Sequence, residues 1–455
     1  MPIGSQEIQQ KAQEFGIHPS DVQRDYVFGW LIAGVFHAPE LSSHLVLKGG
    51  NAFRKGYFPT ARFSDDLDFS TATTLEQASL LEELNQVCVF AQERSGVRFD
   101  LERNRVGDSR LVDHQRRVYK ARLYFQDFSG NADQITLKVR MDVTEQDRLI
   151  LPATPRLLIH QYSDSVACST EIRCVAIEEA LADKLKCLLQ RRHSHDVFDL
   201  LHGIFINRAL DVDRGQVVKI FLRKTIFEES PLAALRLLLG LPLEGMRPFW
   251  DKVICPQGSR LSFDDAVTML TDGLRTLFQP FSYGQNRMEA YFRPEYRIPI
   301  LQAGSNLTLL RLTYDGVPRL VEPYSLAFKR RKDGVAQEYF YAWDRTGGRS
   351  GEPGIRSFVQ SGVQVIENTD EYFEPRFEVE LRKAGGPRPQ AHFGSTSTIP
   401  KVVRRRSSAT TSRKYIVQCP YCGKRFTRTR PGVHLNSHKD TYGNRCYGRT
   451  GIRVV

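Results

Sequence analysis

The sequence lacks the long apolar run that a membrane-spanning helix needs. No stretch of about 18 consecutive apolar residues occurs in the chain, which predicts a protein without membrane contact. The opening residues, MPIGSQEIQQKAQEF, contain no basic segment followed by an apolar one, so we expect no signal peptide. Five of the eight cysteines show no framework spacing. This favours reduced thiols over a disulfide-stapled fold and predicts a cytoplasmic protein.

Acidic residues are almost missing from the end of the chain. From Arg382 onward there are 17 Lys and Arg residues and one acid, Asp440, so this segment carries more positive charge than the net +12 of the whole chain. Concentrated positive charge favours binding to a polyanion, of which nucleic acid is the commonest. A solvated, disordered segment is the alternative that the composition leaves open.

The chain is longer than a single hydrophobic core usually supports, so we expect several domains. Residues 1–285 mix helical and strand patterns, and residues 290–382 show short β runs separated by turns, beginning with YRIPILQ at 296–302. Residues 383–412 have the Gly, Pro, Ser and Arg content of a linker, and residues 413–455 are too short for a core of their own. The sequence therefore predicts an α+β multidomain protein with a mixed domain, a small β-barrel, a basic disordered linker and a small stapled module.

The segment RFSDDLDFS places three aspartates within four positions. Residues two apart share one face of a strand, so Asp66 and Asp68 are neighbours and Asp65 points away. Adjacent carboxylates repel each other, and a bound divalent cation usually resolves the repulsion. Oxygen ligands beside substrate phosphates suit Mg²⁺ or Mn²⁺. Taken alone, such a pair is more often a solvated turn.

A glycine pair precedes the aspartates. Gly49 and Gly50 end a predicted strand and lead into a helix, so the backbone can approach a phosphate at the start of that helix. Arg62 and Ser64 lie just before the aspartates, where they can assist. These four residues predict a nucleotide-binding turn.

Further charged residues follow in the order that such a site needs. Asp142 alternates with apolar residues in LKVRMDV, so a neighbouring strand can present it to the same metals. Lys184 lies on a strongly amphipathic helix and can neutralise a triphosphate, while Asp196 and Asp199 share one face of the next helix. The series predicts two-metal phosphoryl or nucleotidyl transfer. A kinase-like phosphotransferase would use the same metal chemistry.

The same motifs carry a family resemblance. The run from DYVFGWLI through LVLKGGNAF and RFSDDLDFS to LADKLKCLLQRR and HDVFDLL resembles the AbiEii/AbiGii toxin family over about residues 20–280. These are polymerase-beta-like nucleotidyltransferases of bacterial abortive-infection and toxin–antitoxin systems. The resemblance implies Asp66 and Asp68 as metal ligands and Lys184 and Asp196 as further catalytic residues. It also implies an NTP substrate, an RNA acceptor that is tRNA in some members, and a cognate antitoxin.

Residues 290–382 are similar to a WYL domain over about 75 residues, through motifs such as VEPY and FEPRF. The family's naming triplet would fall on Glu338, Tyr339 and Phe340, so the signature is degraded there. The resemblance implies an Sm-like β-barrel that binds a ligand, nucleic acid or nucleotide, and regulates attached modules. The contact candidates are Tyr314, Arg319, Tyr324 and Arg356. The alternative for Tyr314 and Tyr324 is that each is a half-buried strand residue without a ligand.

The end of the chain contains a spaced set of metal-binding side chains. The five candidates are Cys419, Cys422, His434, His438 and Cys446. In a small cytoplasmic module this spacing predicts a tetrahedral Zn²⁺ site. The first two cysteines form one pair, and we favour His438 with Cys446 as the second, with His434 as the alternative ligand. Arg425 and Arg428 predict a basic, nucleic-acid-binding face beside the metal.

Together these observations predict a metal-dependent nucleotidyltransferase that moves a nucleotide from an NTP to an RNA acceptor, as a toxin or phage-defence effector. The alternative is a non-catalytic nucleic-acid-binding regulator. It would use the barrel and the zinc module, with the transferase fold serving as a scaffold.

Overall fold

The hydrophobic side chains form three separate clusters. The structure, a computed structural model, describes residues 3–110, 117–128, 136–145, 149–191, 193–207, 209–283, 290–330, 335–384, 415–419, 422, 424–428, 433–439, 445–446 and 452–453. The first cluster runs from Ile3 to Tyr291, the second from Phe292 to Leu381, and a small third one joins Val417 to Cys446. Most of the predicted linker, 385–412, lies outside the described residues. Within the part of the chain that is described, no helix is long and apolar enough to cross a bilayer.

The first domain packs helices around a mixed sheet. Its helices are α1 (Ser5–Phe15), α2 (Pro19–His37), α3 (Pro39–His44), α4 (Gly49–Ala52), α5 (Gln77–Ser95), α6 (Ile177–Gln190), α7 (Ser194–Leu200), α8 (Arg214–Lys224), α9 (Pro231–Leu239), α10 (Arg247–Trp250) and α11 (Phe263–Phe278). Its strands are β1 (Val46–Lys48), β2 (Leu67–Thr71), β3 (Arg105–Arg110), β4 (Arg117–Gln126), β5 (Thr136–Glu145), β6 (Thr154–Leu157) and β7 (Glu171–Cys174).

The strand order of this sheet is β3-β4-β5-β2-β1-β7-β6. Strand β2 runs parallel to β5, and β1 runs parallel to β7, whereas the other neighbours are antiparallel. Strand β4 alternates buried apolar and partly exposed polar residues, as a sheet with one covered face requires. The mixed sheet with its helices confirms the predicted α+β class.

Helix α2 crosses the middle of the first domain and is buried on nearly every side. Its Asp25 carboxylate accepts hydrogen bonds from Arg54 Nε at 2.7 Å, Lys55 Nζ at 2.8 Å and the Tyr162 hydroxyl at 2.9 Å. Burial alone would raise the pKa of Asp25, but Arg54 and Lys55 hold it below its usual range. Because Arg54 and Lys55 lie in the helical turn Phe53–Tyr57 that continues α4, this buried cluster fixes the chain as it leaves the glycine pair.

The second domain consists of one helix and an antiparallel sheet. The helix is α12 (Pro294–Asn306), and the strands are β8 (Thr308–Tyr314), β9 (Val317–Arg330), β10 (Ala336–Asp344), β11 (Gly354–Phe358) and β12 (Val363–Tyr372). The strand order is β11-β10-β9-β8-β12, and every neighbouring pair is antiparallel. The segment predicted as a barrel is therefore a separate antiparallel sheet.

The prediction of a strand at 296–302 is wrong, because this run lies within α12. The helix begins at Pro294, where the fixed φ of proline suits a first helical position. It continues past Pro299 because its buried residues, Ile300 and Leu301 among them, pack with the core of the second domain. A short apolar run cannot by itself distinguish a strand from a buried helix, and packing decided the outcome here.

The two domains meet at the end of helix α6. Arg297 Nη1 donates to the Leu189 carbonyl at 2.6 Å, and Gln190 Nε2 donates to the Leu326 carbonyl at 2.8 Å. Arg297 also forms a buried ion pair with Glu338. A helix leaves its last carbonyls without intrahelical partners. Here the second domain supplies a partner for the Leu189 carbonyl.

The third cluster contains short strands from the end of the chain. They are β13 (Tyr415–Gln418), β14 (Arg425–Arg428), β15 (His438–Lys439), β16 (Arg445–Cys446) and β17 (Ile452–Arg453). Strands β14, β13 and β17 form one small sheet, and β15 and β16 form another.

Candidate active site

Two of the predicted acids lie side by side on neighbouring strands. Asp68 of β2 and Asp142 of β5 are register partners, so their side chains leave the same face of the sheet. Asp66 lies two residues before Asp68 and directly precedes the first residue of β2. Asn51 Nδ2 donates to the Asp66 carbonyl at 2.6 Å, and the Ser64 hydroxyl donates to Asp66 Oδ1 at 3.4 Å. The register therefore places Asp68 beside Asp142, and Asp66 directly precedes the strand that carries Asp68.

Asp65, the third acid of the segment, approaches a cation of strand β5. Its Oδ2 lies 4.0 Å from Arg140 Nη2, on the strand that also carries Asp142. Arg122 Nη1 approaches Asp142 Oδ1 at 3.5 Å.

The glycine pair accommodates the side chains of this site at close range. Gly49 has φ +69°, and a Cβ there would lie 2.2 Å from Asp68 Oδ2. A Cβ on Gly50 would lie 2.8 Å from Arg62 Nη2 and 2.8 Å from Ser64 Oγ. Any larger residue at either position would displace these groups. The predicted nucleotide-binding turn thus lies directly against the Asp68 carboxylate.

A buried chain of ion pairs adjoins the carboxylates. The Arg62 guanidinium binds Asp199 through two hydrogen bonds of 2.9 Å each. Lys184 Nζ lies 2.8 Å from Asp199 Oδ2 and 3.0 Å from Asp196 Oδ1. Arg191 Nε donates to Asp196 Oδ2 at 2.9 Å. Three cations and two carboxylates form this network, which therefore carries an excess positive charge.

The network keeps its members charged. Burial alone would lower the pKa of Lys184, but Asp199 and Asp196 raise it above its usual range. Burial alone would raise the pKa of Asp196, but Arg191 and Lys184 hold it well below its usual range. Burial alone would lower the pKa of Arg191, but nearby carboxylates raise it above its usual range. Asp196 has the larger effect and Asp68 a smaller one. The charge of Asp68 thus reaches the network at Arg191.

Two histidines flank this network without joining its ion pairs. Burial lowers the pKa of His193 to about 4 and, with the charge of Arg62, lowers the pKa of His195 well below its usual range. The His193 Nδ1 accepts a hydrogen bond from the His195 backbone N–H at 3.3 Å. Both rings are therefore neutral at pH 7.

Sequence reasoning overlooked parts of this site. Lys48 is the register partner of Asp68, and Lys120 is the register partner of Asp142, so a row of Lys, Asp, Asp and Lys crosses four adjacent strands. The alternation in VYKARLYFQ could have placed Lys120 on the polar face. Asp199 had been noted only for its spacing, although it pairs with two of the predicted residues.

The chain matches a known family over this domain. Adjacent carboxylates can hold the divalent metal ions that many phosphoryl- and nucleotidyl-transfer enzymes use. Residues 30–242 match the family described as "Nucleotidyl transferase AbiEii toxin, Type IV TA system". This region is therefore an AbiEii nucleotidyltransferase toxin domain, which confirms the family predicted from the sequence.

Solved structures that match the chain include one nucleotidyltransferase toxin. MenT4, nucleotidyltransferase toxin Rv2826c from Mycobacterium tuberculosis H37Rv, matches with a TM-score of 0.36 at 18% sequence identity, covering 60% of this chain and 87% of that chain. No curated protein matches the chain.

Three of the four contact candidates in the second domain share a cavity of about 310 Å³. Its lining includes Tyr314, Arg319 and Arg356, together with Arg349 and Phe358. Arg319 Nη1 is held by Asp344 Oδ2 at 2.6 Å.

Tyr324 lies apart from this cavity. Its side chain is fully buried, its hydroxyl donates to Glu322 Oε2 at 2.8 Å, and its ring packs against Phe373 and Phe377. A side chain in this position supports the core of the second domain and offers no face to a ligand.

The Cys and His candidates at the end of the chain converge. The ligand atoms of Cys419, Cys422, His438 and Cys446 all lie within 4.8 Å of one another. His438 Nδ1 bonds to the Asn436 carbonyl at 2.9 Å, and this directs Nε2 to Cys422 Sγ at 3.3 Å. Thiolates and an imidazole oriented in this way fit a zinc ion.

The remaining candidates lie around this group. His434 is exposed and is outside the converging set, and Arg425 is exposed on β14. The side chain of Arg428 lies outside the described residues.

Proposed function

We propose that the AbiEii domain moves a nucleotide from an NTP to an RNA acceptor, with tRNA among the candidates, in a reaction that depends on Mg²⁺ or Mn²⁺. The supporting observation is the adjacency of Asp68 and Asp142 on parallel strands, with Asp66 two residues away. Carboxylates at this spacing repel each other, and their oxygens are the ligands that these cations take. Asp66 and Asp68 would hold the metal, which would neutralise phosphate charge during transfer.

The bonds that form and break during nucleotide transfer suggest the roles of the remaining residues. The acceptor hydroxyl oxygen bonds to the α-phosphorus of the NTP, the bond to the bridging oxygen breaks, and pyrophosphate leaves with the electron pair. Asp142 lies on the strand beyond Asp68, on the side away from Gly49, so we assign it to the acceptor hydroxyl and its proton. Gly49 and Gly50 border the nucleotide.

The cations of the buried network face the triphosphate in this scheme. Lys184 and Arg62 keep their charge because Asp196 and Asp199 hold them in place. A preorganised positive charge stabilises the leaving pyrophosphate without reorganisation during the reaction.

The family's type IV toxin–antitoxin description leads us to propose a cytoplasmic toxin or phage-defence effector that a cognate antitoxin restrains. We propose that the Cys and His group holds Zn²⁺ and that Arg425 and Arg428 beside it bind nucleic acid. The cavity around Tyr314, Arg319 and Arg356 would take a nucleic-acid or nucleotide ligand, since aromatics and arginines suit bases and phosphates.

The test is a transfer assay with purified full-length protein, total bacterial RNA, Mg²⁺ and each of the four NTPs labelled at the α-phosphate. We expect label on RNA from at least one NTP, release of pyrophosphate, and loss of both with Asp68→Asn. Asp65→Asn is the matched control, because Asp65 is a neighbouring acid that faces Arg140 instead, and it should retain activity.

Two outcomes would contradict the proposal. Transfer of a γ-phosphate label without pyrophosphate would indicate a kinase-like reaction. No label from any NTP, with Asp68→Asn indistinguishable from the wild type, would favour the non-catalytic regulator. In a bacterial host, Asp68→Ala should relieve any growth arrest that the wild-type protein causes.

A further inference from the structure

The polar face of strands β3, β4 and β5 is strongly basic. Inward-facing residues of β4 and β5, such as Leu123 and Val139, are buried. The residues between them face the other way, and the register pairs Arg122 with Arg140 and Arg105 with Arg122. We call this surface the basic face. Its members are Arg105, Lys120, Arg122, Lys138 and Arg140.

The basic face is continuous with the candidate active site. Arg140 lies two residues before Asp142 on β5, and Lys120 lies opposite Asp142 on β4. Neighbouring strands are about 5 Å apart and alternate residues about 7 Å apart, so the cations begin within one side-chain length of the Asp142 carboxylate. Arg105 and Lys138 are exposed, and the Arg140 side chain is 37% exposed.

The position of this surface separates it from the nucleotide side. In the strand order β3-β4-β5-β2-β1, the glycine turn lies at the β1 end and the basic face lies at the β3 end, with Asp68 and Asp142 between them. Lys184 and Arg62 are buried in the ion-pair network beside the glycine turn. An acceptor that approaches Asp142 from the other side meets the basic face first.

We propose that the basic face binds the phosphate backbone of the polynucleotide acceptor and so directs its end to Asp142. This rests on the proposed function, which requires such an acceptor. Charge complementarity identifies the occupant. The face carries five cations against three acids that approach them, Asp65, Asp142 and Glu378, and its excess positive charge along three strands matches a chain of phosphates. Phosphate contacts of this kind position a strand without reading its bases.

The test measures binding of a 5′-fluorescein-labelled, 12-nucleotide single-stranded RNA by anisotropy, with the full-length protein at several salt concentrations. We expect Arg105→Gln/Lys138→Gln/Arg140→Gln to bind at least tenfold more weakly. The slope of log K against log salt should fall by about 2, at roughly 0.7 per lost contact. The charge-conserving variant Arg105→Lys/Arg140→Lys should keep most of the wild-type salt slope.

The control variant is Lys219→Gln/Arg223→Gln/Lys252→Gln, which removes three exposed cations from the helical part of the first domain. It should bind like the wild type. The basic end of the chain is unchanged in both variants, so its contribution is common to them. Equal affinity and equal salt slope for the two triple variants would overturn the proposal.

Failure of this proposal is distinguishable from failure of the transfer reaction. Binding needs neither NTP nor turnover. If the wild type transfers no nucleotide, while RNA binding is weakened in the basic-face variant, only the proposed transferase reaction is refuted. Where transfer occurs, the variant should raise KM for the RNA and leave KM for the NTP unchanged. An unchanged KM for the RNA would refute only the basic face.

Discussion

Asp68 and Asp142 occupy partner positions on parallel strands β2 and β5, so two acids far apart in the chain leave one face of the sheet together. Like charges at neighbouring positions repel each other, so each carboxylate forms part of the other's surroundings. The chemistry proposed for Asp66 and Asp68 therefore extends across to β5.

Asp142→Asn should lower the rate of nucleotide transfer on the order of a hundredfold or more, because it removes a carboxylate from the proposed metal-dependent centre. The transfer assay with saturating NTP checks this. A thermal melt close to that of the wild type would show that the fold is intact. Activity within threefold of the wild type would exclude Asp142 from the reaction.

Asp199→Asn should destabilise the first domain. Arg62 and Lys184 would each lose the charge of a buried partner, and breaking a buried pair from one side costs about 3 kcal/mol. Urea unfolding monitored by circular dichroism measures the change. Asp272→Asn removes an exposed partner of Arg275 and should leave the free energy of unfolding unchanged. Equal effects of the two substitutions would contradict the buried network.

The protein should lose stability as the pH falls from about 6.5 towards 4. Burial lowers the pKa of His193 to about 4, while the unfolded chain takes up the proton near 6.5. A depressed histidine pKa thus stabilises the folded state above 6.5 and ceases to do so below 4. Unfolding titrations at pH 7, 6, 5 and 4 should show a shallower decline for His193→Asn. Parallel profiles for both proteins would show that His193 is not buried in its neutral form.

Metal analysis should find one zinc ion per chain in the full-length protein. Cys446→Ser should lose it, since Cys446 belongs to the converging set, and His434→Ala should keep it. Elemental analysis after dialysis gives the stoichiometry. Retention in Cys446→Ser together with loss in His434→Ala would reverse the choice of the fourth ligand.

Glu378→Gln should strengthen RNA binding by the basic face. Glu378 of the second domain forms an ion pair with Lys120, and this pair competes with any phosphate that Lys120 binds. We expect a severalfold gain in affinity for the labelled RNA, which Lys120→Gln should abolish in the double variant. Glu371→Gln removes another glutamate of the same domain, an exposed one, and should have no effect. A gain that persists without Lys120 would point to another contact.

Local patterns anticipated the acids but not their partners. Alternation in LKVRMDV placed Asp142 on the polar face, and the structure brings it beside Asp68. The pairing of Arg62 with Asp199 could not be predicted from the alternation of residues in the sequence. It depends on how a loop and a helix distant in sequence pack together. The resemblance to a WYL domain likewise implied Tyr324 as a ligand contact, whereas β9 turns its side chain into the core.

The contact at the end of helix α6 sets a limit on how the protein can be divided. Arg297 and Leu326 belong to the second domain, yet they bond to Leu189 and Gln190 at the end of the helix that carries Lys184. A fragment cut between the domains would leave the Leu189 carbonyl without this donor and expose apolar surface. Transferring the first domain to another protein would therefore require the second domain as well, or a redesigned end of helix α6.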